Sequence, residues 1–221
     1  MDISRKYYLL LADIQGSTVL SAADRARVFQ TLEEELQRIN STITPKPVRN
    51  LQISYGDEIA GLFDSPVNLY NVVDAVQQAI FEIGKIRFVA VCGYAGVVTE
   101  DIRQIGGEVF KSAGKLMSDL KRSRSFCRWS LGDTLQDRIL TSLTEMSNLL
   151  LNNMTSYQYK VYCLLKSGAS QVEIAAKLLK HQQSVSDAVK RGSAEEVLQA
   201  EETIRAVLLS LSQRKEVVDG H

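Results

Sequence analysis

Tyr7-Tyr8-Leu9-Leu10-Leu11-Ala12-Asp13-Ile14-Gln15-Gly16-Ser17 is the stretch that decides the fold. Residues 6–13 are aromatic and aliphatic, and the run breaks at Gly16, which reads as a buried strand and a turn. The aspartate in it is costly unless a cation or a donor meets it. A second aspartate stands in a comparable place, in Gln52-Ile53-Ser54-Tyr55-Gly56-Asp57-Glu58-Ile59. Two such carboxylates brought together make a site for a hard divalent cation such as Mg²⁺.

Working outward from the first strand, Val28, Phe29, Leu32, Leu36 and Ile39 recur at helical spacing between about Ala22 and Asn40. Pro45 and Pro47 mark a loop. Residues 48–54 and 58–63 read as two strands of a hairpin with Asp57 at its tip. Ser65-Pro66 reads as a cap and first helical residue, opening a helix to about Ile83. Residues 86–98 form a long apolar strand, Gly106-Gly107 opens a helix to about Arg122, and residues 125–131 suggest another strand. The order is the βαββαβ plan of a ferredoxin-like sheet with additions, an α+β fold. In that plan the end of the first strand lies beside the turn between the second and third, so Asp13 and Asp57 meet.

From Asp133 onward the pattern is helical only. The expected organisation is a ferredoxin-fold domain over 1–132, a linker helix over 133–152, and a helix-turn-helix domain with a C-terminal helix over 153–221.

Composition bounds the function. The chain has 221 residues, 45% hydrophobic and 24% charged, which is ordinary for a globular protein. Its net charge is zero, so a basic field for nucleic acid has to be local. The segment before the first strand lacks the apolar core of a signal peptide, and no apolar run approaches the roughly 20 residues of a membrane span. Cys92, Cys127 and Cys163 are odd in number and far apart, which suits free thiols in a reducing compartment. A cytoplasmic location without membrane contact is the expectation. His181 and His221 are the only histidines, which argues against an ordinary zinc site or a Ser-His-Asp apparatus.

Mg²⁺ or Mn²⁺ binds through one or two carboxylates plus substrate phosphates, and the turn at Gly16-Ser17 offers backbone N–H groups to a polyphosphate. Ala12-Asp13-Ile14-Gln15-Gly16-Ser17-Thr18 resembles the first metal motif of the class III nucleotidyl cyclases. Tyr55-Gly56-Asp57-Glu58-Ile59-Ala60-Gly61-Leu62-Phe63 resembles their second, and also the signature of GGDEF diguanylate cyclases. Cys92-Gly93-Tyr94-Ala95-Gly96 and the segment from Gly106 to Leu116 fall where later cyclase motifs lie. The whole layout is most similar to the SatD family, bacterial proteins of this length with a GDE-type motif and a terminal helix-turn-helix.

The resemblance implies Asp13, Asp57 and the carbonyl of Ile14 as metal ligands. It gives Glu58 an acid or base role if the site is active. It also implies loss of the substrate grip. Ile53 stands where cyclases place a base-reading Lys, and Phe110 and Gly114 stand where they place Asn and Arg. Lys111 and Lys115 are the cations left to replace the latter, though a lysine is not a planar fork. With Gly16 and Ser17 they form the expected nucleotide-binding set. The bland readings are an Asx-turn at Asp13 and a plain hairpin turn at Gly56-Asp57.

Near the C-terminus, Thr155 to Gly168 reads as a capped helix, and Ser170 and Glu173 have capping-box spacing at the start of another. A turn through Lys180-His181 leads to a third helix over 182–192. This is similar to the helix-turn-helix of LuxR-type and sigma-factor region-four regulators, with Ala175 at the close approach and Ile174, Leu178, Val185 and Val189 in the core. Leu179 departs from the pattern, which favours glycine there. By that resemblance Gln182, Gln183, Ser184 and Ser186 face base edges, and Lys180, Lys190 and Arg191 face phosphate. The alternative is a helical bundle for dimerisation or docking. The expectation is a regulator that senses a nucleotide or phosphate ligand and binds DNA as a homodimer. An active metal-dependent cyclase and a protein-interaction adaptor remain as alternatives.

Overall fold

A computed structural model describes residues 5–54, 56–96, 99 and 101–219. The fold is α+β: a five-stranded mixed sheet with helices, followed by an all-helical region. The elements are β1 Lys6–Ile14, α1 Ala22–Thr42, β2 Arg49–Ile53, β3 Glu58–Phe63, α2 Leu69–Ile80, β4 Ile86–Tyr94, α3 Glu108–Lys121 and β5 Cys127–Ser130. The helical region has α4 Thr134–Asn153, α5 Ser156–Lys166, α6 Gln171–Leu178, α7 Gln182–Arg191 and α8 Ala194–Asp219.

The sheet runs in the order β2-β3-β1-β4-β5, antiparallel except for the parallel pair β4–β5. The element order read from the sequence is present. Two local readings change. Ser65 and Pro66 belong to a turn, with the Leu69 N–H bonded to the Pro66 carbonyl at 3.1 Å, and α2 begins at Leu69. Asn68 stands at its cap, but the Asn68 amide donates to the Thr44 and Pro45 carbonyls at 3.0 and 3.3 Å, so it ties down the preceding loop. The expected C-terminal helix is α8, which runs from Ala194 to Asp219. Residues 97 and 98 of the expected long strand, and Tyr55 of the hairpin turn, lie outside the described residues.

Side chains alternate across a sheet with period two, and this alternation positions the site. Tyr7 and Leu9 of β1, Ala60 and Leu62 of β3, and Val89 and Val91 of β4 form one buried cluster with Val109, Ala113, Met117 and Leu120 of α3. Asp13, Glu58 and Arg87 share the parity of those residues, so they stand on the face that α3 covers. Gly93 sits under α3 with little room: a Cβ there would lie 3.3 Å from the Val109 Cβ. Trp129 is buried and packs edge-on against Phe88, with ring centroids 5.4 Å apart.

The chain forms two compact units, residues 1–141 with 207–221, and residues 142–206. In the second, Val161, Tyr162, Ile174, Ala175, Val185, Val189, Val197 and Ile204 are buried. Among the described residues, no helix is long and apolar enough to cross a membrane.

Candidate functional site

The first strand ends in a row of charged residues fixed by sheet register. Asp13 of β1 is the partner of Glu58 of β3 on one side and of Arg87 of β4 on the other. Asp57 directly precedes Glu58, so the register sets it beside the end of β1. Asp13 is 5% exposed. Its carboxylate is met by two cations: Lys121 Nζ lies 2.7 Å from Oδ1, and Arg87 Nε lies 3.5 Å from Oδ2. Lys121 is shared, since Nζ also lies 3.3 Å from Glu58 Oε1. Arg87 Nε is buried and makes no hydrogen bond among the described residues, so its approach to Asp13 is an ion pair only. Desolvation pulls the Lys121 ammonium down, but hydrogen bonding and charge from Asp13, with Glu58 behind it, outweigh burial and hold it above the ordinary lysine value.

The turn after β1 is built to approach Asp57. Gly16 has φ 68°, a left-handed conformation that glycine adopts without a Cβ penalty, and it starts a single 3-10 turn over Ser17–Val19. That turn aims the Ser17 hydroxyl at Asp57 Oδ2, to which it donates a short hydrogen bond. Arg25 of α1 fastens the turn by donating from Nε and Nη2 to the Ser17 carbonyl at 3.2 and 2.8 Å. Gln15 anchors its start, with its N–H on the Lys85 carbonyl at 2.7 Å.

The structure therefore places Asp13, Ile14, Gly16, Ser17, Asp57 and Glu58 at one end of the sheet. Lys111 and Lys115 are exposed on α3. The lysine of that helix that reaches the carboxylates is Lys121, its last residue. Sequence reading missed both Lys121 and Arg87. Arg87 left a signal, being the one cation inside the apolar strand Ile86-Arg87-Phe88-Val89. Lys121 left none, because its reach depends on where the end of α3 stands over the sheet. Among the described residues, no group of three or more His, Cys, Asp or Glu side chains is arranged to hold a metal ion. The cleft lined by Glu35, Arg38, Asp74 and Gln78 on α1 and α2 contains none of the site residues named above.

The second candidate lies in the helical unit. α5 and α6 each begin with a complete capping box, Thr155 with Gln158 and Ser170 with Glu173. Ser170 holds the Glu173 carboxyl below its usual range by donating its N–H and hydroxyl to it. α6 ends at Leu179, which takes the left-handed conformation, φ 51° and ψ 47°, and is 91% exposed. This is the position where the sequence departed from glycine, and a leucine there carries a Cβ penalty of roughly 1–2 kcal/mol. Of the expected core, Ile174, Val185 and Val189 are buried and Leu178 is half-buried.

α7 buries Val185, Ala188 and Val189 and leaves its opposite side in solvent. Lys180, Gln182, Gln183, Ser184, Lys190 and Arg191 are exposed, and Ser186 is half-buried. Gln183 donates its amide to Asp187 at 3.1 Å. Gly192, after α7, is required by close packing, since a Cβ there would lie 2.9 Å from the Ala188 carbonyl oxygen and 3.3 Å from the Gln158 Cβ. A deeper network ties α5 to α8. Glu201 is 1% exposed, accepts the Tyr162 hydroxyl at 2.6 Å, and pairs with Lys166 at 2.7 Å and Arg205 at 3.5 Å.

No family model matches the chain, and no curated protein matches it. Among solved structures the chain has distant similarity to the guanylyl cyclase Cya2, at 18% identity and a TM-score of 0.36, over 52% of this chain and 70% of that one. It has a more distant similarity to the regulator of polyketide synthase expression from Bifidobacterium adolescentis, at 13% identity and a TM-score of 0.24, over 96% of this chain and 86% of that one.

Proposed function

We propose that this chain is a SatD-type bacterial regulator. Its ferredoxin-like domain, related to nucleotidyl cyclases, senses a nucleotide or similar phosphate ligand, and its helix-turn-helix domain binds DNA as a homodimer. The observation that carries the reading is α7. A short, firmly seated helix presents Gln182, Gln183 and Ser184 at its exposed N-terminal turn and Lys190 and Arg191 at its end. Amides and hydroxyls suit base edges, and the two cations suit phosphate. The sensing half is supported by the Gly16-Ser17 turn beside Asp57 and by Arg87, whose buried Nε is ion-paired to Asp13 at 3.5 Å but makes no hydrogen bond among the described residues, which leaves its N–H to donate to an anion.

Catalysis is not part of the proposal, because Ile53, Phe110 and Gly114 stand where the resembling cyclases grip substrate. The DNA half is tested by fluorescence anisotropy with a mixed-sequence duplex at low salt. Binding should weaken as salt rises, and Lys190→Ala with Arg191→Ala should reduce the salt slope by about two. A chain that ignores every duplex at low salt sinks this half. The sensing half is tested by calorimetric titration with nucleoside triphosphates. Product detected by mass spectrometry would move the reading to the cyclase alternative.

A further inference from the structure

The folds that the Asp13 and Asp57 motifs resemble hold Mg²⁺ or Mn²⁺ between two carboxylates, and the side chains here do not fit that ion. Mg²⁺ demands near-octahedral oxygens at about 2.0–2.1 Å. Asp13 Oδ1 is instead bonded to the Lys121 ammonium at 2.7 Å, and Oδ2 faces Arg87 Nε at 3.5 Å. Asp57 Oδ2 already accepts the Ser17 hydroxyl. Glu58, the third carboxylate of the group, is on Lys121 at 3.3 Å. Lys121 and Arg87 thus already face Asp13, and Lys121 also faces Glu58, so a divalent ion would have to enter against both cations. Solvent at the half-exposed Lys121 does not remove this conflict, because the other end of the pair, Asp13, is buried.

We propose that Lys121 is the resident cation of this site: its ammonium occupies the place beside Asp13 and Glu58 that a divalent metal takes in metal-dependent relatives of the fold. The site is therefore metal-free in function, and phosphate recognition there runs through protein donors. Lys121 fits this role by its origin as well as its position. It is the terminal residue of α3, on a side chain long enough to cross from the helix to the sheet, and it bridges carboxylates from two different strands. A single ammonium bridging two strands does the cross-linking that a metal would otherwise do.

The test is a Mn²⁺ titration of the full chain, read by electron paramagnetic resonance of the free ion with no nucleotide present. The wild type should bind more weakly than about 1 mM. Lys121→Met should gain a site at least about tenfold tighter, and adding Asp13→Asn should abolish the gain. Lys121→Gln gives a second, polar variant, and circular dichroism establishes that each variant is folded. Wild-type binding tenfold tighter than about 1 mM overturns the proposal, as does the lack of any gain in folded Lys121 variants. The inference concerns the same site as the ligand reading, but the titration contains no ligand. Failure of nucleotide binding sinks that reading and leaves this result standing.

Discussion

Among the described residues, Asp13 in the sheet and Glu201 in the helical unit are the buried carboxylates, and their first contacts are nearly the same. Each has a lysine at 2.7 Å and an arginine at 3.5 Å. Their surroundings differ. Glu201 is closed off: the Tyr162 hydroxyl donates to it and itself accepts a hydrogen bond from Lys166 at 2.9 Å, and the Lys166 side chain is only 16% exposed. Among the described residues, none closes over Asp13 in that way. Its lysine is 41% exposed and divided between Asp13 and Glu58, and a glycine turn and Asp57 stand beside it. A closed network fixes two helices. An open one leaves charge where a ligand can meet it. The same pair of cations thus makes a strut in one place and a candidate site in the other.

The largest effect that separates the two should come from Glu201→Ala. It removes the buried carboxylate that Lys166, Arg205 and the Tyr162 hydroxyl share inside the helical unit. Removing one member of a buried pair costs about 3–5 kcal/mol. Urea unfolding followed by circular dichroism should show a loss of that size. A loss under about 1 kcal/mol, the value of an exposed pair, would mean that Glu201 is not the strut described here.

Lys121→Met should cost less, on the order of 1–2 kcal/mol, because solvent reaches the lysine and Arg87 stays beside Asp13. The same unfolding measurement compares the two. If Lys121→Met proves as damaging as Glu201→Ala, the distinction between an open and a closed network fails, and the Asp13 cluster is a strut as well.

Part of this contrast was legible in the sequence. An aspartate ending an apolar strand announces an unusual carboxylate, and the βαββαβ order sets the end of that strand beside the hairpin turn, so Asp13 and Asp57 could be placed together from the sequence. The capping boxes at Thr155 and Ser170 were equally plain, because their spacing is local. What the sequence hid was everything set by tertiary geometry. Lys121 looks like any surface lysine at a helix end, and Lys111 and Lys115 looked like better candidates only because they fall on a motif. Glu201 looks like a solvent residue of a polar helix, since nothing near it in sequence names Tyr162 or Lys166. Ser65-Pro66 misled for a different reason: it is a good helix start, but Asn68 is engaged with the loop at Thr44 and Pro45, and the helix begins after it. Leu179 was visible as a departure from glycine, whereas its left-handed backbone and full exposure were not.

The smallest effect, and the most selective, is at alkaline pH. Asp13 and Glu58 hold the Lys121 pKa above the ordinary value of 10.5 in the folded chain. A lysine raised on folding stabilises fully below its unfolded pKa, and that contribution is lost as pH rises through the folded value. The stability difference between the wild type and Lys121→Met should therefore be level from neutral pH up to about 10.5 and should shrink above it. Taking the difference between the two proteins cancels the other lysines and tyrosines that titrate in the same range, so the curve isolates the Asp13 cluster. A difference that stays level well above pH 10.5 would show that the Lys121 charge does not stabilise the fold, and that its contact with Asp13 is packing rather than pairing.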